Sequence, residues 1–218
     1  MLARDRFVYS GKTSFVQRSA LERELSVVAG FDEPRIEREQ YPTPADVAAH
    51  LVHLAGVQGD LAECVVDLGT GTGILALGAA LLGSTSVIGI DSDRDTLRIA
   101  RENERRVDPS VSPVWIRGDA TRPPLSLDRV TVLMNPPFGA QQGNEHADRA
   151  FLDATASIAT VSYSIHNAGS REFIESFADD RGGIVTHAFS VDLDLRNQFH
   201  FHTKERRTIA AEAYRIEW

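Results

Sequence analysis

Cysteine, lysine and long apolar runs are what this sequence has least of. Cys64 stands alone in 218 residues, which excludes an internal disulfide and a cysteine-rich zinc site. The residue is expected to pack as a small hydrophobe at the start of a strand. Lysine occurs only at Lys12 and Lys204 among 23 basic residues, and 31 acidic residues outnumber them to give a formal charge of -8. A generally basic nucleic-acid coat is therefore excluded, and any RNA contact must come from a local patch. The most apolar stretch, Ile74 to Leu82, is too short to span a bilayer. The first residues carry Arg4, Asp5 and Arg6 with no apolar region behind them, so no signal peptide is expected and the protein is expected to be cytoplasmic. With 42% hydrophobic residues the chain can bury a substantial core, most simply as one domain, with a helical segment over 1–58 and an α/β core over 59–218.

What is present is an alternation of apolar strands and amphipathic helices. Residues 14–29 read as a helix, with Ser14 and Gln17 spaced as a capping box and Gly30 past the end. Gln40-Tyr41-Pro42-Thr43-Pro44 is an extended lead-in, and Thr43 is the expected cap of a helix over 44–55 that stops at Gly56. Val65 to Leu68 is a strand running into a glycine-rich turn, and Ile74 to Leu82 is the apolar helix after it. Val87 to Asp91 is a second strand ending in a carboxylate, after which Asp93 caps a helix to about Arg106. Val114 to Arg117 is a third strand and leads to Asp119, and Val130 to Met134 is a fourth that leads to Asn135-Pro136-Pro137-Phe138. A helix over 147–159, a strand over 160–165, a helix over 170–179 and strands over 183–191 and 208–218 complete the pattern.

Four strand ends carry the chemistry. Glycines at alternate positions, Gly69, Gly71 and Gly73, permit a tight turn and close approach of a ligand, but such turns serve several nucleotides, or none. Asp67 separates the readings, because it repels a pyrophosphate over the helix N-terminus and favours the ammonium and sulfonium of S-adenosylmethionine. Asp91, about 20 residues beyond Gly71, is placed to accept from both hydroxyls of a ribose. Asp119 is placed to accept from an adenine amine, although each acid alone is equally a cap or turn residue. At the fourth strand end two prolines fix φ at about −65° and remove two donors. The Asn135 carboxamide oxygen and the Pro136 carbonyl then suit the two N–H donors of an exocyclic amine such as adenine N6, and Phe138 can stack on a base drawn from its strand. Taken alone, a strand-to-loop turn explains the same residues. His166, after the fifth strand, is either a substrate contact or a satisfied structural histidine.

The succession Asp67-Leu68-Gly69-Thr70-Gly71-Thr72-Gly73, Gly89-Ile90-Asp91, Gly118-Asp119-Ala120 and Asn135-Pro136-Pro137-Phe138-Gly139 resembles the class I S-adenosylmethionine-dependent methyltransferases that modify amino groups. Glu39 to Thr43, Ala147 to Leu152 and Tyr163 to His166 carry the resemblance over nearly the whole chain, to the archaeal and eukaryotic small-subunit ribosomal RNA adenine-N6 methyltransferase family. It implies cofactor contacts at Gln40, Thr43, Gly69, Thr72, Ile74, Asp91 and Asp119, with the target amine at Asn135 to Phe138. It also implies a Rossmann-like α/β fold whose seven-stranded, mostly parallel sheet runs in the order 3-2-1-4-5-7-6. That order leaves strand 114–117, with Trp115, at an edge where the family's small zinc-binding activator protein is expected to dock. Ribosomal RNA is the implied substrate, with contacts expected from His166 and from the thinned basic run His200, His202, Lys204, Arg206 and Arg207. The segment 139–146 carries no lysine or arginine. Two other readings stay open: a protein glutamine-N5 methyltransferase, whose similar corner usually has Tyr in place of Phe138, and a nucleotide-binding module that methylates nothing.

Overall fold

Strands covered by helices on both faces are apolar throughout, and the central ones here are short and buried at every position. The computed structural model describes residues 17–35, 38–127, 129–138, 147–195 and 207–218. Within them β1 (Val65–Leu68) lies between β2 (Val87–Asp91) and β4 (Val130–Met134), all parallel. β3 (Val114–Arg117) adds to β2, and β5 (Ala159–Asn167) adds to β4. The antiparallel β7 (Arg207–Glu217) is inserted between β5 and β6 (Ile184–Leu195). The resulting order, 3-2-1-4-5-7-6, is the one the resemblance implied.

α1 (Arg18–Leu25), α2 (Ala45–Gln58) and α3 (Ile74–Leu81) bury Leu21, Leu25, Leu51 and Leu77 in one cluster with Leu133, Tyr163 and Ile165 of the sheet. On the other face α5 (Ala147–Ile158) and α6 (Arg171–Asp179) bury Phe151, Leu152, Ile174 and Phe177 against Val66, Val132, Met134 and Tyr214. α4 (Arg94–Val107) follows β2, and Asp93 caps it as expected, accepting from Asp95 N at 3.0 Å. No helix among the described residues is long and apolar enough to cross a membrane.

Several boundaries differ from the sequence expectation. α1 ends at Leu25 and not at residue 29; Gln17 makes no side-chain cap bond, and Ser14 lies outside the described residues. The apolar pattern continues to Val27, which is half exposed and meets no core. α2 passes through Gly56 and stops at Gly59, whose φ of 80° is the left-handed stop. Gly56 is useful inside the helix, since a Cβ there would lie 3.3 Å from Leu82. The cap of α2 is Pro44 rather than Thr43, which leaves the Thr43 hydroxyl for another task. β5 continues through His166, and β6 to Leu195, because β7 supplies pairing partners for both.

At the end of the sheet where the parallel strands begin, Arg215 is buried. It donates to Asp60 through Nε at 2.8 Å and Nη2 at 3.2 Å, and the Tyr163 hydroxyl also donates to Asp60. This forked pair fastens the antiparallel half of the sheet to the chain entering β1. At the opposite side β3 is an edge, with Val114 57% exposed. Trp115, however, is turned away from that edge: its Nε1 donates to Glu104 of α4 at 2.7 Å. Its ring lies over Gly89, where a Cβ would fall 2.6 Å from ring carbons. Gly89→Ala should therefore overpack this layer and lower stability by about 1–3 kcal/mol, read as a lower urea midpoint at unchanged slope. A midpoint equal to wild type would show that the ring is free to move.

Candidate active site

The carboxyl ends of β1 to β4 open on one cleft of about 260 Å³, the place where open α/β sheets bind ligands. Asp67 stands at its floor, 1% exposed. Its Oδ2 accepts from Thr70 Oγ1 at 2.7 Å and from Ala76 N at 3.1 Å. Gly73, the residue that begins α3, has no side chain with which to cap it, so the strand's carboxylate satisfies the helix from outside. The turn between them has φ of 69°, 55° and 90° at Gly69, Gly71 and Gly73, a region that side chains strain. Gly69, Gly71, Thr72 and Ile74 line the cleft. Gly73 does not line it, and a Cβ there would meet Trp115 at 2.8 Å, so its lack of a side chain also serves packing.

The other two acids are held by the backbone around them. Asp91 accepts from Gly71 N at 3.0 Å through Oδ2 and from Asp93 N at 2.8 Å through Oδ1. Burial raises its pKa, and each oxygen keeps a lone pair for a further donor. Asp119 Oδ1 accepts from Thr121 Oγ1 at 2.7 Å and Thr121 N at 2.9 Å, bonds that lower its pKa. In Asp67 the second oxygen, Oδ1, is buried without a partner. Burial, opposed by the Thr70 and Ala76 bonds, raises this carboxyl to about 7. Among the described residues Arg38 is the one cation lining the cleft, and it is paired with Asp93 at 3.3 Å. An orphaned acid, a second acid at the end of β2 and, among the described residues, no free cation suit a cationic nucleoside without phosphate, and S-adenosylmethionine fits that description.

The wall opposite the glycine turn is the segment before α2. Gln40 lines the cleft, but its amide is engaged: Oε1 accepts from Arg35 N at 2.9 Å, and Nε2 donates to Asp93 at 3.2 Å and Thr96 at 3.4 Å. The Thr43 hydroxyl accepts from Asn135 Nδ2 at 3.0 Å, which fixes the carboxamide and leaves Asn135 Oδ1 buried without a partner. Phe31, Phe151, Thr70 and Glu39 are among the cleft residues that escaped the sequence reading as site residues. Phe31 and Phe151 close on the glycine turn, lying 3.3 Å and 3.0 Å from where a Cβ would stand on Gly71 and Gly69. Thr70 braces Asp67, and Glu39 accepts from Phe138 N at 2.6 Å across 99 residues of sequence. Phe151 was visible only within the Ala147 to Leu152 stretch that carries the resemblance; nothing local marks Phe31.

Other expected site residues fall elsewhere. Pro137 lines the cleft, whereas Pro136 is buried behind it and Phe138 is half-buried against the first core cluster. His166 is 1% exposed, with both ring nitrogens unpartnered and burial lowering its pKa to about 4. It is a neutral interior ring beside Tyr214. His200, His202, Lys204 and Arg206 lie outside the described residues, and Arg207 is described only as the first residue of β7.

A 3-2-1-4-5-7-6 sheet with this glycine turn and these three strand-end acids is the architecture of a class I S-adenosylmethionine-dependent methyltransferase. The family model for ribosomal protein L11 methyltransferase matches residues 53–113, which hold the turn and Asp91. The crystal structure of PH1948 from Pyrococcus horikoshii has a TM-score of 0.82 and 37% identity, covering 93% of this chain and 98% of that one. The rRNA N(6)-adenosine-methyltransferase METTL5 of Danio rerio is 33% identical over 200 residues, 90% of this chain and 96% of its own length. Its Drosophila melanogaster counterpart is 32% identical over 206 residues, 90% and 94% of the two chains. The chain belongs to the METTL5 family of rRNA N6-adenosine methyltransferases.

The carboxyl of Asp67 gives a pH signature without ligand. Its folded pKa of about 7 lies above the ordinary value of 3.8, so over that interval the folded state holds a proton that the unfolded state has lost. Its stabilising contribution is complete below about pH 4 and is lost as pH rises through about 7. Asp67→Asn should flatten the urea midpoint between those limits; an unchanged slope would assign the titration to another group.

Proposed function

We propose that this protein transfers the methyl group of S-adenosylmethionine to N6 of an adenosine in small-subunit ribosomal RNA. The observation that carries the reading is Asn135, whose amide nitrogen is tied to Thr43 and whose oxygen waits in the cleft without a donor. Bound in the cleft, the cofactor supplies a methyl group activated by a positive sulfur. Asp67 Oδ1 would accept from its ammonium, Asp91 from the ribose hydroxyls and Asp119 from its adenine amine; Gln40, Thr43, Gly69, Gly71, Thr72 and Ile74 shape the walls.

The target amine is handled by the corner after β4. Asn135 Oδ1 and the Pro136 carbonyl accept its two N–H donors and draw its lone pair out of conjugation with the ring. Phe138 is the stacking partner for the extruded base. No strong base is required beforehand, because the alkylated, positively charged nitrogen is acidic and gives its proton to water afterwards. The protein's share is alignment and fixed dipoles. A protein as target draws support from the L11 methyltransferase match, but that match stops at residue 113, ahead of the Asn135 corner.

The reading brings a location and a partner with it: a cytoplasmic protein, working as a heterodimer with a small zinc-binding activator seated on the β3 edge. Support comes from the open ladder of β3 and from the exposed Val114. Co-expression with such an activator should raise the melting temperature, and Val114→Asp should weaken the complex. A fully active chain whose melting temperature ignores the activator would remove the partner from the reading.

Labelled S-adenosylmethionine offered to separated rRNA, protein and DNA should label rRNA, and digestion should release N6-methyladenosine. Label on a protein glutamine would favour the protein reading. Asn135→Ala should slow transfer by about a hundredfold while calorimetric affinity for S-adenosylhomocysteine stays within about twofold. A rate equal to wild type would remove Asn135 from the chemistry.

A further inference from the structure

We propose that Glu39 is a positioning residue for the methyl-acceptor corner: by taking the Phe138 N–H, it keeps that corner a set of acceptors only. The inference rests on the reading of Asn135 and Pro136 as the groups that receive the amine. Prolines 136 and 137 have no N–H, so Phe138 carries the first backbone donor after Asn135. A donor in that position has a local alternative. Two residues back lies the Pro136 carbonyl, and an inverse γ-turn centred on Pro137 closes that bond with φ of about −75°, close to the value a proline ring imposes. Such a turn would consume the carbonyl meant for the amine and aim an N–H at the place where the amine's own N–H groups must come.

Glu39 removes the competition by accepting from Phe138 N at 2.6 Å. The arrangement is costly by itself. Glu39 is 7% exposed and has a φ of 49°, so a carboxylate is buried on a backbone conformation few residues adopt. A bond from an N–H to a carboxylate is among the stronger ones and offsets part of that cost. The carboxylate also adds negative charge beside the corner, the sign that favours positive charge developing on the amine. Glu39 is flanked by residues already bound, Arg38 to Asp93 at 3.3 Å and Gln40 to Asp93 at 3.2 Å, so its own position is set by the ribose side of the cleft.

The experiment compares Glu39→Gln and Glu39→Ala on three readouts: rRNA methylation rate, affinity for S-adenosylhomocysteine, and hydrogen exchange at the Phe138 amide. Glu39→Ala should lower kcat by about a hundredfold, the scale of a reacting group displaced by about 1 Å, with homocysteine-product affinity within about twofold and with faster exchange at Phe138. Glu39→Gln keeps an acceptor oxygen and should recover most of the rate and the protection. In the Asn135→Ala background the further loss from Glu39→Ala should shrink, since both act on one step. An unchanged kcat in Glu39→Ala, or a fall in cofactor-product affinity as large as the fall in rate, would overturn the proposal. If wild type methylates no RNA, the reading of the function fails separately, and the Phe138 amide still decides whether Glu39 holds the corner.

Discussion

A buried carboxylate that no cation meets among the described residues is the constraint around which this molecule is arranged. α3 is buried along nearly its whole length, and its Gly73 cap has no side chain to offer the first turn. Asp67 accepts from one of those N–H groups, Ala76 N, from the neighbouring strand. The tight glycine turn follows from that, because the chain must leave β1, pass Thr70 back over the carboxylate and enter the helix in five residues. The same acid has one oxygen unsatisfied. Folding thus meets half of its hydrogen-bonding capacity, and a cationic ligand is the natural way to meet the rest. Scaffold and ligand site share one group.

The cleft has two halves, and a short segment joins them. Residues 53–113, matched by the L11 methyltransferase model, contain the glycine turn and the ribose acid, the parts any class I methyltransferase needs. The Asn135 corner lies outside that range, and so does the segment 38–43. Gln40 and Arg38 bind it to Asp93, while Thr43 and Glu39 bind it to Asn135 and Phe138. Asp93 N in turn donates to Asp91. The acid expected to hold a ribose and the amide expected to hold an amine are therefore linked through the backbone of one short segment that is hydrogen-bonded to both sides.

The parallel strands were legible because each is a short apolar run closed by glycine, aspartate or asparagine; β3 and β4 fall on the expected residues, and the acids at the ends of β1 and β2 with them. Strand order was not readable from periodicity, which gives each strand's faces but not its neighbours, and came from the family resemblance. Trp115 shows the limit of a local reading. It sits on an edge strand, yet two glycines, Gly73 and Gly89, leave room for its ring on the inner side. His166 ends an apolar strand and looked like a strand-end ligand until β7 extended the strand past it. Glu39 was invisible as a site residue because its contact with Phe138 spans 99 residues of sequence, and the bonds that Gln40 makes to Arg35, Asp93 and Thr96 were equally out of local reach.

The insertion of β7 between β5 and β6 constrains how the protein is made. Every strand pairing of β6 in the sheet is with β7, and β7 is synthesised after it. Until β7 is in place this 12-residue strand has no sheet to join, and the outer side of β5 is unpaired as well. Two open ladders on one folding chain invite each other, or a strand from another chain, to pair out of order. Val191 and Leu193, which end in the first core cluster, stay incompletely covered for the same interval. The sheet is closed only when β7 enters between its two neighbours, so the step before that insertion is where this half of the sheet is most open to mispairing.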